Sequence, residues 1–349
     1  MSDLVKLILA FMVAFLMAFL STPLAEKLAH KIGAIDVPKD ARRMHKKPIP
    51  RLGGLAIFFG FAVAMLMFAV MTKEMMAILA GSLIIVALGV LDDRKPIRAI
   101  IKLLVQIVAA FIVVYFGGVK IDAITNPNIF SPNVYLELGW LAIPVTIIWI
   151  CGVTNAVNLI DGLDGLAAGI ASISSICIMI IALLTNEYHI AVFTACLAGA
   201  CIGFLPYNFN PAKIFMGDSG STFLGFALAC ISIEGMFKGY AAISFAVPLL
   251  VLALPIFDTT VAILRRVRDH RPIMAPDRGH FHHKLIDMGF TQKQAVGIMY
   301  AISALLGISA VILTGFGMIR ALVLLVIALV FVIATLILKN THDKDEEEK

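Results

Sequence analysis

Charge is scarce in this chain. Only 15% of its 349 residues are Asp, Glu, Lys or Arg, against about 25% in soluble domains. No polar stretch is long enough to fold as a separate soluble domain. The basic residues sit in short loops and form no continuous patch, which argues against a nucleic-acid partner. The five cysteines (Cys151, Cys177, Cys196, Cys201 and Cys230) fall in apolar segments and make no CxxC pair. A disulfide framework and a cysteine-based zinc site are thereby excluded. No internal repeat recurs at a fixed period.

What the chain has instead is hydrocarbon. Hydrophobic residues make up 60% of it, and its mean hydropathy is +0.97. Apolar runs long enough to cross a bilayer core of roughly 30 Å recur along its length. The expected fold is therefore all-α, a multispanning membrane helical bundle. Eleven spans are predicted, at 4–22, 53–71, 76–91, 100–117, 139–153, 165–184, 190–206, 220–236, 241–263, 296–314 and 320–338. The first run lacks the charge-before, small-residue-after layout of a cleaved signal and reads as a retained span.

Lys and Arg accumulate in cytoplasmic loops. One set of alternate loops holds 23 basic residues and the opposite set holds 5. The N-terminus is accordingly placed outside and the C-terminus in the cytoplasm. Residues 1–338 form a single integral-membrane domain, with inner loops 23–52, 92–99, 154–164, 207–219 and 264–295, and 339–349 is a charged tail. The longest outer loop, Gly117 to Leu138, carries turn signals at Asn126-Pro127-Asn128 and Ser131-Pro132-Asn133.

With this orientation, nearly every unusual polar cluster falls on the inner side. Asp92-Asp93 closes the third span, where carboxylates beside hydrocarbon are costly. They are either a solvated helix end paired with Arg94 and Lys95, or a divalent-cation or general-base site. In Asn155-Ala-Val-Asn158-Leu-Ile-Asp161-Gly162-Leu163-Asp164-Gly165 a polar group recurs every third residue, winding around a helix. Gly162 and Gly165 let backbone approach a ligand closely. Phe215-Met-Gly217-Asp218-Ser219-Gly220-Ser221 opens the eighth span. It is a cap or a phosphate site with Asp218 holding magnesium.

Two basic loops complete the set. Arg278-Gly279-His280-Phe281-His282-His283 follows Arg265, Arg266, Arg268 and Arg271 and suits phosphate contact better than zinc. A plain membrane-surface patch is its bland alternative. Arg42-Arg43-Met-His45-Lys46-Lys47-Pro-Ile-Pro50-Arg51-Leu-Gly53-Gly54 satisfies positive-inside topology, with glycines at a span entrance that permit close contact. Acids, cations and amides at one face are the parts for phosphoryl transfer, where catalysis is largely positioning and charge neutralisation. A transporter would instead line mid-span positions with its acids, and a zinc hydrolase would need a softer ligand set.

These motifs, in this order, resemble the polyprenyl-phosphate N-acetylhexosamine-1-phosphate transferase family over nearly the whole chain. The His-x-His-His loop and the Arg-Leu-Gly-Gly entrance are similar to the branch that starts O-antigen and teichoic-acid synthesis. The resemblance implies UDP-N-acetylglucosamine as donor, undecaprenyl phosphate as acceptor, UMP as leaving group and Mg²⁺, with Mn²⁺ as its substitute. It implies a homodimer in the bilayer. Asp218 is implied as principal metal ligand with Asp93 assisting, and Asp92 as base or orienter of the lipid phosphate. Asn158 and Asp161 are placed around the reacting phosphates. Asn155, Gly162, Leu163 and Asp164 are placed toward the donor, and Asn208 and Phe215 around the uracil. Lys46 and Arg51 meet phosphate, His280, His282 and His283 hold pyrophosphate oxygens, and Arg266 meets the sugar. A family lysine after the Asp pair is either Lys95 or Lys102.

Overall fold

The protein is described from a computed structural model covering residues 2–38, 47–125, 135–237, 246–272 and 279–316, with 322, 325 and 326. It is mostly helical. In chain order come α1 (Asp3–Ile32), β1 (Ile35–Asp36), β2 (Ile49–Pro50), α2 (Gly53–Phe68), α3 (Lys73–Arg94) and α4 (Ala99–Tyr115). Then follow β3 (Ala123–Thr125), β4 (Tyr135–Glu137), α5 (Ala142–Ile160), α6 (Leu166–Leu184), α7 (Tyr188–Asn208) and α8 (Gly217–Ser232). The chain continues through α9 (Ala246–Val251), α10 (Ala253–Arg268), α11 (Phe281–Asp287) and α12 (Gln292–Phe316). Among the described residues the expected all-α class is modified by two small antiparallel sheets, β1-β2 and β3-β4, and an isolated bridge between Arg51 and Phe215.

Six described helices are long and apolar enough to cross a membrane: α1, α3, α5 with its preceding turn, α6, α7 and α12. Helices α2 and α4 are shorter apolar helices. The predicted eleventh span, 320–338, has only scattered described residues, and the tail lies outside them.

Several predicted boundaries move, for physical reasons. Helix α1 does not stop at residue 22 but runs 30 residues to Ile32. At about 1.5 Å per residue it outreaches the hydrocarbon layer, and its last turns, with Lys27 and Lys31, were expected as loop. Helix α5 runs through Asn155 and Asn158 to Ile160, so the supposed loop 154–164 is helical for most of its length. The predicted ninth span is broken at Leu252 between α9 and α10, and α10 continues to Arg268. Pro255 cannot donate to the Val251 carbonyl. Ser174 Oγ of α6 donates to that carbonyl instead, at 3.0 Å.

The core centres on α8, which is buried at every position except Asp218 and packs against α2, α3, α5 and α6. Small residues let backbones touch, as is usual where hydrocarbon surrounds a bundle. A Cβ on Gly54 of α2 would lie 2.0 Å from the Gly220 nitrogen, and one on Gly89 of α3 would lie 2.3 Å from Ser219 Cα. The start of α8 is thus wedged between the start of α2 and the end of α3. That is where the acids are.

Candidate active site

The site is assembled on the first turn of α8. Gly53 N and Gly54 N donate to the carbonyls of Phe215 and Met216 at 2.9 and 2.8 Å, and Phe215 N donates to Pro50 O at 2.8 Å. The segment after β2 therefore runs beside residues 215–216. It brings Arg51 to Asp218 (3.5 Å) and to Asp93 (3.6 Å). From the other side, Lys102 of α4 donates Nζ to Asp218 Oδ2 at 2.7 Å and to Asp92 Oδ2 at 3.1 Å.

The two aspartates at the end of α3 have separate duties. Asp93 Oδ1 accepts from Asp218 N at 2.8 Å and Oδ2 from Ser219 N at 3.0 Å. It caps α8 from a neighbouring helix. Of the two readings the sequence leaves open for this helix start, a cap or a phosphate site, these two N–H groups follow the first, and Asp93 belongs to the scaffold rather than to the cavity wall. Asp92 Oδ1 accepts from Ile97 N at 2.7 Å, fixing the turn into α4, while Oδ2 meets Lys102. Between the two candidate lysines, Lys102 reaches the acids and Lys95 is exposed at the α3 C-cap.

A cavity of about 810 Å³ opens beside this cluster. Arg51, Asn158, Asp161, Gly162, Leu163, Asp164, Asn208, Phe215, Asp218 and His283 line it, all singled out from the sequence. Asn158 Nδ2 donates to Ser221 Oγ at 2.8 Å, which locks α5 to α8. Asp164 Oδ2 accepts from Asn210 Nδ2 at 2.9 Å and Ala212 N at 3.0 Å, holding the loop that closes one wall. Asp161, at the end of α5, is pushed up to about 7 by burial and then by the Asp218 carboxylate, against the pull of Arg51.

Besides Asp93 and His282, four residues are placed otherwise than the sequence suggests. Asn155 does not line the cavity; its Nδ2 donates to Gln106 Oε1 and to Cys151 O, each at 2.7 Å, tying α5 to α4. Asn208 borders the cavity, yet its polar atoms serve backbone: Oδ1 accepts from Gly165 N at 3.1 Å and Nδ2 donates to Ile214 O at 2.9 Å. Arg266 is buried in the last turn of α10, away from the cavity lining. His280 is buried against Asp258, with Nδ1 and Oδ2 2.7 Å apart. Lys46 lies outside the described residues. Among the described residues, its neighbour Lys47 and Lys213 supply cationic charge at the cavity.

His282 sits behind the wall. A Cβ on Gly162 would lie 2.2 Å from its Nε2, so only glycine lets the imidazole pack on this backbone. Neither ring nitrogen has a hydrogen-bond partner among the described residues. Burial, then the neighbouring His283, pushes His282 down to about 3. It is a neutral ring at physiological pH, not a cation.

Sequence reasoning missed Asp258, Lys213 and Gln106. Asp258 carried a usable signal, because an ionisable residue within a span is a functional candidate by default. Gln106 and Lys213 belong to no local motif.

Magnesium fits this donor set. Asp218 and Asp161 present carboxylate oxygens to a cavity that also carries phosphate-suited cations, the pattern of few carboxylates plus substrate oxygens by which Mg²⁺ is held. Among the described residues, three carboxylates (Asp92, Asp93 and Asp218) have two cations, Arg51 and Lys102, within 4 Å. A divalent cation would balance the excess.

Residues 75–236 match glycosyl transferase family 4. The chain is 40% identical, over 94% of its length and 90% of the relative's, to a probable undecaprenyl-phosphate N-acetylglucosaminyl 1-phosphate transferase of Bacillus subtilis (strain 168). It is 34% identical, over 77% of its length and 73% of the relative's, to a decaprenyl-phosphate N-acetylglucosaminephosphotransferase of Mycolicibacterium smegmatis. An undecaprenyl-phosphate alpha-N-acetylglucosaminyl 1-phosphate transferase of Salmonella typhi is 30% identical over 82% of this chain and 76% of its own. The acid-lined cavity thus lies in a chain that belongs to glycosyl transferase family 4, among the polyprenyl-phosphate N-acetylhexosamine-1-phosphate transferases.

Proposed function

We propose that the protein transfers N-acetylglucosamine 1-phosphate from UDP-N-acetylglucosamine to undecaprenyl phosphate, releasing UMP. The product, undecaprenyl-diphosphate-N-acetylglucosamine, would begin a cell-envelope polysaccharide of teichoic-acid or O-antigen type. The active site would face the cytoplasm, on the side where Lys and Arg accumulate. One observation carries this reading: Asp218 and Asp161 share a cavity wall with Arg51, Lys47, Lys213 and His283. That combination suits a diphosphate donor and a phosphate acceptor meeting at one metal, and the cavity volume suits a nucleotide sugar.

Direct displacement agrees best with these residues. A lipid phosphate oxygen attacks the β-phosphorus of the donor; the bond between that phosphorus and the bridging oxygen breaks, and UMP leaves with the bond's electrons. A phosphate monoester loses its second proton near pH 6 (about the value for phosphorylated side chains), so the nucleophile needs little activation. Arg51 and Lys102 hold Asp218 in place and lower the cost of crowding negative phosphates. Asn158 and Asp164 fix the walls, leaving Arg51, Lys47, Lys213 and His283 to orient phosphate oxygens. When bound, Mg²⁺ would lie on Asp218 and Asp161 and neutralise charge developing between the two phosphates.

Purified protein given labelled UDP-N-acetylglucosamine and undecaprenyl phosphate is expected to release UMP and form a lipid-linked sugar, with loss of both on chelation of Mg²⁺. Absence of UMP under these conditions would refute the reaction. A phosphorylated enzyme trapped with donor alone would replace direct displacement by a two-step route.

A further inference from the structure

We propose that Asp258, inside α10, is a positioning residue that holds the His280–His283 segment against the donor cavity. A carboxylate within a helix surrounded by apolar residues is costly unless fully engaged. Asp258 is 6% exposed, and both its oxygens are used by one short segment. Oδ2 lies 2.7 Å from His280 Nδ1, and Oδ1 accepts from Phe281 N at 2.7 Å. Since an ionised carboxylate only accepts, His280 carries its proton on Nδ1.

The same helix grips the segment a second time. Two turns further along α10, Arg265 donates Nη1 to the Gly279 carbonyl at 3.0 Å. Gly279 has no side chain to obstruct this, since a Cβ there would lie 2.1 Å from the guanidinium. The approach to α11 is thus clamped on α10 over Gly279, His280 and Phe281. His280 has no side-chain capping bond to α11; Asp258 supplies the cap from another helix.

What the clamp positions can be followed ring by ring. His280 and His282 lie parallel, with centroids 5.7 Å apart and planes 7° apart. His282 rests on the backbone at Gly162, and His283, 4.2 Å from His282 by centroids, lines the cavity. Asp258 is not among the residues lining the cavity, and its carboxylate oxygens bond to His280 and Phe281, so its effect on turnover passes through α11. The consequence for donor binding rests on the proposed role of His283 at phosphate; the placement of α11 does not.

The test compares Asp258→Ala, which removes both bonds, with Asp258→Asn. The amide keeps an acceptor for Phe281 N and can donate to His280 Nδ1 in its other tautomer. Two measurements are made on full-length protein in detergent or vesicles. The first is acylation of histidines by diethyl pyrocarbonate, read by mass spectrometry, with exposed His30 as internal standard. His282 is expected to be protected in the wild type and in Asp258→Asn, and to react about tenfold faster in Asp258→Ala through local opening. The second is a double-mutant cycle with His283→Ala. Asp258→Ala is expected to raise the donor KM about tenfold with lipid KM unchanged, to be rescued by Asn, and to add nothing in the His283→Ala background.

Unchanged His282 labelling, failure of Asn to rescue, or losses that multiply in the double variant would overturn the inference. If Asp258→Ala does not fold, His280→Ala removes one of the two bonds and enters the same cycle with the same expectation. If the wild type itself releases no UMP, the proposed reaction falls, and the labelling contrast alone decides whether Asp258 holds α11.

Discussion

At the residue scale, carboxylates that look alike in the sequence have different surroundings. Asp218 meets Lys102 and Arg51 and faces the cavity, whereas Asp93 is consumed by the backbone of α8. Asp218→Ala is expected to lower kcat by at least about 100-fold, the scale for losing one electrostatic stabiliser, with thermal unfolding little changed. Magnesium-dependent turnover retained in that variant would remove Asp218 from the site. His282 gives a pH prediction. Its folded-state value of about 3 lies below the 6.5 of an ordinary imidazole. As pH falls from 6.5 toward 3 the unfolded chain takes up a proton that the folded chain refuses, so this ring's contribution to stability is lost over that window. The melting midpoint of the wild type is expected to drop more steeply there than that of His282→Asn, and parallel curves would contradict the buried neutral ring.

At the element scale, helices meet through small or paired polar residues, and each contact has a measurable consequence. Gly54 lies against Gly220 with no room for a methyl. Gly54→Ala must part α2 from α8 and is expected to cost about 1–3 kcal/mol of stability, read as a lower melting midpoint together with reduced turnover. Gln106 and Asn155 bond to one another between α4 and α5. Asn155→Leu alone strands a buried amide and is expected to cost about 1–3 kcal/mol, while replacing both by leucine restores most of it. Donor KM measured in the double variant should match the wild type; a large rise would return Asn155 to the substrate.

The same scale shows what was legible in the sequence. Apolar length announced the helices, and the motif at 155–165 announced the cavity wall, because hydropathy and residue type are local. The duties of Asp93, Asn155 and Asn208 were not legible, since each bonds to a partner far away in sequence. The α9–α10 break is intermediate: Pro255 marks it locally, but the Ser174 hydroxyl that makes it tolerable comes from α6.

At the scale of the whole molecule, five segments separated by up to 190 residues converge. Asp92-Asp93 ends α3, Lys102 begins α4, Asn158 and Asp161 end α5, Asp218 begins α8 and His283 belongs to α11. Alternating helix direction puts ends and starts at one level, so motifs scattered along the chain share one face of the bundle. A water-borne donor and a membrane-held acceptor can meet only at such a boundary. The five native cysteines are all buried, which leaves a quiet background for thiol labelling. Ile49→Cys and Ala212→Cys, at lining positions whose side chains have no assigned role, are the probes, treated with a membrane-impermeant maleimide in inverted vesicles and in intact spheroplasts. Both sites should label only in inverted vesicles and be protected by UDP-N-acetylglucosamine with Mg²⁺. Labelling from the outside, or labelling indifferent to the donor, would contradict a nucleotide-sugar site on the inner face.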